Sequence, residues 1–293
     1  MFRLGYNTNG LAHHRVPDAL ELVHALGYEA LSITPDVGQL DPYRLDPEEV
    51  ARVRRRAEEL GLELTVETGA RFLLDPLRKH APNLLDPDRA ARQRRVELLC
   101  RHVDLAADLG ASPVSVWAGA APGGAVGDRR GEVGAHPELW ERLCAGLRPV
   151  LARAAAQGVQ LAFEPEPGMF VERPEGYVAL VERLGADGDA LGLTLDVGHC
   201  HATRDLPVAD VIRNLAHRLV LVQLDDAKDG EHVHRMFGQG DLDLPAALAT
   251  LLEVGFDGVA AVELSRDSHR GPEAAREALE RIRAALADRR AGA

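Results

Sequence analysis

The sequence contains few cysteines, few aromatic residues and no long apolar stretch. Its three cysteines, Cys100, Cys144 and Cys200, are odd in number and lack metal-type spacing, which is typical of a reducing compartment rather than of a disulfide framework. No apolar run reaches the roughly 18 residues that a membrane-spanning helix needs. The N-terminal residues do not show the basic segment followed by an apolar stretch that is typical of a secretion signal. We therefore expect a cytoplasmic protein with no membrane partner.

Basic residues are also in the minority. The chain has 34 lysines and arginines against 46 aspartates and glutamates, a net charge of −12. DNA-binding proteins usually present a basic face, because contacts with phosphates supply much of their affinity. Two basic clusters, at 52–56 and 89–95, fall within helical patterns and are typical of solvated helix faces. The composition therefore predicts no nucleic-acid partner.

Short β-prone runs alternate with amphipathic segments of helical period along the whole chain. The runs are 2–6, 30–33, 62–66, 113–117, 160–163, 191–195, 219–224 and 258–262, and the helical segments are 16–26, 47–60, 90–109, 137–157, 174–184, 245–254 and 272–287. No glycine-rich phosphate loop follows the first run, which argues against an open doubly wound sheet. The pattern predicts an α/β fold, a single (β/α)8 TIM barrel forming one domain over residues 1–293.

Four consecutive predicted strands have an oxygen-bearing side chain at, or directly after, their carboxyl end: Glu164, Asp196, Gln223 and Glu263. The carboxyl ends of barrel strands meet at one rim, where three carboxylates repel each other unless a cation lies among them. We therefore predict one divalent metal ion held by these four residues. Oxygen ligands favour Mn²⁺, with Mg²⁺, Co²⁺ and Zn²⁺ as alternatives. The competing interpretation is that each side chain caps a loop or pairs with an arginine.

Other polar and aromatic residues fall in the predicted loops at the same rim. The loop after the third strand contains Arg71, Lys79 and His80, candidates for binding a substrate phosphate or carboxylate, although a capping or surface role is the alternative. Trp117 ends the fourth strand and is a candidate wall for the substrate, with core packing as its alternative. The residues that we predict to bind substrate are His199, His232, His234, Arg235 and Trp117.

Several motifs resemble those of a known superfamily. They are LAFEPEPG at 161–168, LDVGH at 195–199, VQLDDAK at 222–228, FGQGDLD at 237–243 and the segment 259–265. The chain resembles the xylose-isomerase-like barrels, which include sugar isomerases, epimerases and apurinic-site endonucleases. The resemblance implies metal binding by the three acids and substrate binding by His199. Members of the family often form homo-oligomers, but the sequence leaves the oligomeric state of this chain open. Many members have histidine at the position of Gln223. The hydroxypyruvate-isomerase-like branch resembles this chain in having glutamine there.

The implied reaction is proton transfer beside a carbonyl. A metal-stabilised enediolate, with Glu164 and Glu263 as catalytic acid and base, predicts an isomerase or epimerase of a sugar, ketose or cyclic polyol. A dehydratase of an inosose-like keto-polyol is an alternative, because the same enediolate can expel a hydroxyl. A phosphodiester hydrolase related to the endonucleases is another: His232 and His234 resemble that branch's extra zinc ligands, but two of its ligands are missing. The fourth possible function is that of a non-catalytic binding protein with the same barrel fold. The sequence does not identify the substrate.

Overall fold

A computed structural model describes residues 1–130 and 133–292 of the chain. Eight strands close into a barrel in their order along the chain, and their pairings are parallel. The predicted (β/α)8 fold is confirmed. The strands are β1 (Arg3–Asn7), β2 (Ala30–Ile33), β3 (Glu63–Glu67), β4 (Val114–Val116), β5 (Leu161–Phe163), β6 (Leu191–Asp196), β7 (Leu219–Leu224) and β8 (Val259–Val262).

Helices connect the strands. They are α1 (Val16–Leu26), α2 (Pro47–Leu60), α3 (Arg89–Leu109), α4 (Pro137–Gln157), α5 (Pro174–Leu184), α6 (Val197–Thr203), α7 (Val208–Leu215), α8 (Leu244–Glu253) and α9 (Gly271–Gly292). Gly110 ends α3 in the left-handed conformation, with φ of 68°, which glycine adopts without strain. Within the described ranges, no helix combines the length and the apolar character needed to cross a membrane.

The two short helices between β6 and β7 were not predicted. Helix α6 has the sequence VGHCHAT, in which no apolar period is visible. It begins because the Asp196 side chain accepts a hydrogen bond from the backbone N–H of His199, which caps the first turn. Helix α7 has eight residues and buries Val208 and Ile212, one turn apart. Such a short apolar stripe is too brief for sequence periodicity to detect.

The chain contains two compact units, so its assignment to one domain stays a prediction. The first unit comprises Met1–Ile33, Arg55–Leu64 and Leu195–Ala293. In it, β1 pairs with β2 and β8, and β8 pairs with β7. Ala30, Leu221, Val259 and Ala261 form a buried apolar cluster. This part of the sheet fixes the directions in which β7 and β8 end.

The second unit comprises Thr34–Arg54 and Thr65–Thr194. In it, β4 pairs with β5, and Phe163 of β5 is in register with Leu193 of β6. The buried carboxylate of Asp128 accepts hydrogen bonds from the backbone N–H groups of Glu172 and Arg173, 2.9 and 2.7 Å away, just before α5. Burial raises the pKa of Asp128 to about 7.

Candidate metal and substrate site

Three predicted ligands lie in the first unit, at or near the carboxyl ends of their strands. Asp196 is the last residue of β6, Gln223 is the penultimate residue of β7, and Glu263 directly follows β8. The backbone N–H of Glu263 donates to the carbonyl of Leu224, 3.0 Å away, which aligns the ends of β7 and β8. Asp196 and Gln223 are each 1% exposed. The sheet register therefore brings an acid and an amide to buried positions at this rim.

Asp196 uses its two carboxylate oxygens differently. Oδ1 accepts the hydrogen bond from the backbone N–H of His199, at 2.9 Å. Oδ2 lies 3.7 Å from His199 Nε2 and 3.8 Å from His234 Nδ1. Burial acts to raise the pKa of Asp196, but the two imidazoles hold it below its ordinary value. Asp196 is therefore an anion next to two nitrogen donors.

His199, His232 and His234 form a triangle of imidazoles. Their ring centroids are 4.8 Å apart for His199 and His232, and 5.5 Å apart for the two other pairs. One nitrogen from each ring lies within 4.8 Å of the others. The three residues that the sequence placed at one rim are thus close together, although their role in substrate binding stays a prediction.

Asp225 orients His234. Its Oδ2 lies 2.7 Å from Nδ1 of His234, so the imidazole directs Nε2 towards Glu263, whose Oε1 is 3.9 Å away. Burial opposes the charged imidazole, yet Glu263 and Asp225 raise the pKa of His234 well above its ordinary value. Burial and the charge of Asp196 likewise raise the pKa of Asp225. Such carboxylate–imidazole pairs commonly fix the tautomer of a metal-binding histidine.

Besides the three imidazoles, a second group of possible metal ligands combines oxygen and nitrogen atoms. Asp196, His234 and Glu263 each offer one ligand atom, and these atoms lie within 4.8 Å of one another. Gln223 Oε1 is buried and accepts no hydrogen bond from the described residues. A buried amide oxygen without a donor is costly unless something else satisfies it. The donor set and this unsatisfied oxygen both suit a hard or borderline divalent cation.

The loop that carries His232 and His234 is folded around Asp226. The Asp226 carboxylate accepts hydrogen bonds from the backbone N–H groups of Gly238, Gly240 and Leu242, at 2.7, 2.8 and 3.0 Å. A Cβ at Gly240 would lie 2.5 Å from a backbone carbonyl oxygen, which explains why the second glycine of the FGQGDLD motif is needed. Residues 226–242 therefore form an ordered loop rather than a free connection.

Sequence reasoning missed two residues of this group. Asn9 follows β1 and donates from Nδ2 to Glu263 Oε1, 2.8 Å away. Asp225 was part of a recognised motif, but its contact with His234 is seen only in the folded chain. Asp225 comes one residue after β7, so the same strand-end rule that selected Gln223 would have identified it.

The other predicted site residues have different surroundings. Arg235 donates from Nη2 to Glu231, 2.7 Å away. In the second unit, Glu164 directly follows β5, is 4% exposed and accepts a long hydrogen bond, 3.4 Å, from Ser115. Trp117 directly follows β4 and is buried, with the guanidinium of Arg95 over its ring. The prediction that 89–95 is a solvated face is wrong for Arg95, which is buried.

Comparisons with known proteins agree with this architecture. The family model described as xylose isomerase-like TIM barrel matches residues 20–285. The 3-dehydroshikimate dehydratase of Pseudomonas aeruginosa is 28% identical over 282 residues; the match covers 92% of this chain but only 39% of that protein. A solved L-ribulose 3-epimerase superposes with a TM-score of 0.77 at 21% identity, covering 100% of this chain and 97% of that one. The D-allulose 3-epimerase of a Methylomonas species gives 0.74 at 17% identity, covering 97% and 98%.

Proposed function

Because the chain belongs to the xylose isomerase-like TIM barrel family, we propose that it is a metal-dependent isomerase or epimerase of a small keto sugar or polyol. The observation that carries this proposal is the group formed by Asp196, His234 and Glu263, whose ligand atoms lie within 4.8 Å of one another. The 3-epimerases of the same fold support the class of reaction.

The proposed metal ligands are Asp196 and Glu263, joined by Gln223 or His234. Gln223 is favoured by its unsatisfied Oε1, and His234 by its orientation through Asp225. Glu164 as a further ligand is a proposal from its position after β5 and from the family resemblance. The expected ion is Mn²⁺, with Mg²⁺, Co²⁺ and Zn²⁺ as alternatives.

When bound, the divalent ion would polarise the carbonyl and adjacent hydroxyl oxygens of a hydroxy-ketone. Glu263 removes the proton from the carbon beside the carbonyl, and Asn9 holds one of its oxygens at 2.8 Å. His199 and His232 present ring nitrogens that orient substrate hydroxyls. Glu164 is the proposed partner base that returns the proton.

Substitution at Glu263 tests this assignment. Glu263→Gln keeps the size of the side chain and removes the base, so turnover should fall by about 10²- to 10⁴-fold. Glu253→Gln, in an exposed ion pair on α8, is the matched control and should keep full activity. Turnover would be measured on a panel of keto sugars, with metal content determined by elemental analysis before and after chelation. Unimpaired turnover by the chelated, metal-free protein would eliminate the proposal.

A dehydratase is the second candidate, favoured by the similarity to the Pseudomonas aeruginosa enzyme. Proton removal at the same carbon would then be followed by loss of a hydroxyl group. Product mass separates the two reactions, because an epimer keeps the mass of the substrate and a dehydration product lacks one water. A metal count above one per chain would instead favour the phosphodiester hydrolase, with the histidine triangle as a second metal site.

A further inference from the structure

Arg95 is a buried cation. Its side chain lies on α3 and is 2% exposed. Within residues 1–130 and 133–292, no carboxylate pairs with it, and its Nη2 has no hydrogen-bond acceptor. Buried guanidinium groups are normally paired, since the loss of water must be offset by an anion or by acceptors. Burial lowers the pKa of Arg95 to about 10, so the group is still charged at neutral pH.

The surroundings of Arg95 are aromatic and basic. Its guanidinium carbon lies 4.3 Å from the centroid of the Trp117 ring. The His80 ring contacts the same tryptophan edge-on, with centroids 4.9 Å apart, and His80 Nδ1 is buried without a hydrogen-bond partner among the described residues. Burial, then the charges of Lys79, Arg95 and Arg71, lower the pKa of His80 to about 3. Three basic side chains therefore act on His80.

The loop between His80 and α3 is fixed against the segment after β4. Asn83 donates from Nδ2 to the carbonyl of Ala120, 2.9 Å away, and its Oδ1 accepts from the backbone N–H of Leu85 at 2.8 Å. A Cβ at Gly119 would lie 2.5 Å from the Asn83 side chain, so the two segments are in close contact. His80 and Trp117 therefore keep a defined relation to each other before any ligand binds.

We propose that Arg95 and His80 bind an oxyanion, a carboxylate or phosphate group, beside the Trp117 ring. A planar guanidinium and an imidazole N–H are matched donors for such a group, and the tryptophan keeps water away from it. The site is assigned to a small ligand that bears a carboxylate or phosphate group.

Anion binding can be measured apart from catalysis by the fluorescence of Trp117. The chain has 2 tryptophans, so Trp140→Phe leaves Trp117 as the reporter. Inorganic phosphate should change its emission saturably, whereas chloride at equal ionic strength should not. In this background Arg95→Met should weaken phosphate binding by about 10- to 100-fold. Arg183→Met is the matched control, because Arg183 lies over Trp140 instead, at 4.9 Å. Equal affinity in the Arg95 and Arg183 variants would overturn the site.

Thermal unfolding separates an anion site from a purely structural arginine. Removing an unpaired buried charge should leave the melting temperature of the phosphate-free Arg95→Met protein unchanged or raised, and phosphate should stabilise the parent protein alone. His80→Phe, which keeps an aromatic ring against Trp117, should also lose the phosphate effect. A lower melting temperature for Arg95→Met, with no phosphate effect in the parent, would mean that Arg95 only packs on Trp117.

Because phosphate titration does not need turnover, it would still succeed after metal chelation if the proposed reaction were wrong.

Discussion

One carboxylate holds the loop after β7, and replacing Asp226 by alanine should release that loop. Asp226 accepts three backbone hydrogen bonds, at 2.7, 2.8 and 3.0 Å. Hydrogen bonds to a charged group contribute about 1.5–3 kcal/mol each. Water can reach part of this loop and replace some of them, so we expect the free energy of unfolding to fall by about 3–5 kcal/mol. That loss is large compared with the usual stability of a domain.

Urea unfolding and limited proteolysis measure this effect. The Asp226→Ala protein should unfold at lower urea, become cleavable within 226–242, and lose activity because the loop carries His232 and His234. Asp241→Ala is the control: Asp241 lies in the same loop, is exposed, and accepts one longer bond of 3.2 Å from Asp229 N. Its change should stay below about 1 kcal/mol. Equal urea midpoints for the two variants would refute the idea that Asp226 organises the loop.

Three further predictions concern other residues. Asp225→Asn should weaken Mn²⁺ binding about 10- to 100-fold by calorimetry, because the ring of His234 loses its anionic partner; an unchanged affinity would remove His234 from the ligands. Burial raises the pKa of Asp128 to about 7, so its contribution to stability is complete in acid and is lost as pH rises through that value. The melting temperature should therefore fall between about pH 4 and pH 7, and Asp128→Asn should flatten the profile. Gly240→Ala should destabilise the protein through a contact of 2.5 Å, whereas a Cβ at Gly38 meets nothing within 4 Å and Gly38→Ala should be neutral in the same melting assay.

The fold could be predicted because its signals are local. The predicted helical segments 47–60 and 137–157 match α2 and α4 to the residue. In both, proline is the first helical residue and glycine follows the last one, so the boundaries are marked in the sequence itself. The barrel then follows from the alternation, since parallel strands need crossover connections. Helix α6 escaped prediction because its first turn depends on the Asp196 side chain, which sequence reasoning had assigned to a metal.

The candidate site could be predicted only in part. Asp196, Gln223 and Glu263 were found because strand ends converge in a barrel whatever the loops do. The contact of Asn9 with Glu263 depends on a side-chain direction that residue spacing alone does not give, whereas Asp225 directly follows β7 and was open to the strand-end rule. Arg95 was misassigned for a different reason.

The position of Arg95 on its helix was a neglected signal. Arg95 is spaced three, four and seven residues from Leu98, Leu99 and His102, which are all buried. That spacing places its side chain on the inner face of α3. The other arginines of the run 89–95 suggested one solvated face. The position of Arg95 in the helical period instead places it with the buried residues.

Asp196 caps helix α6 with one of its two carboxylate oxygens, and this limits how the carboxylate could bind a cation. Oδ1 is engaged by the backbone of α6, which leaves Oδ2 as the atom directed at the neighbouring imidazoles. Coordination through this aspartate should then be monodentate, along a direction set in advance by the backbone. Little rotational freedom of the carboxylate is left to lose on binding, so selectivity among ions would depend on the other donors around it.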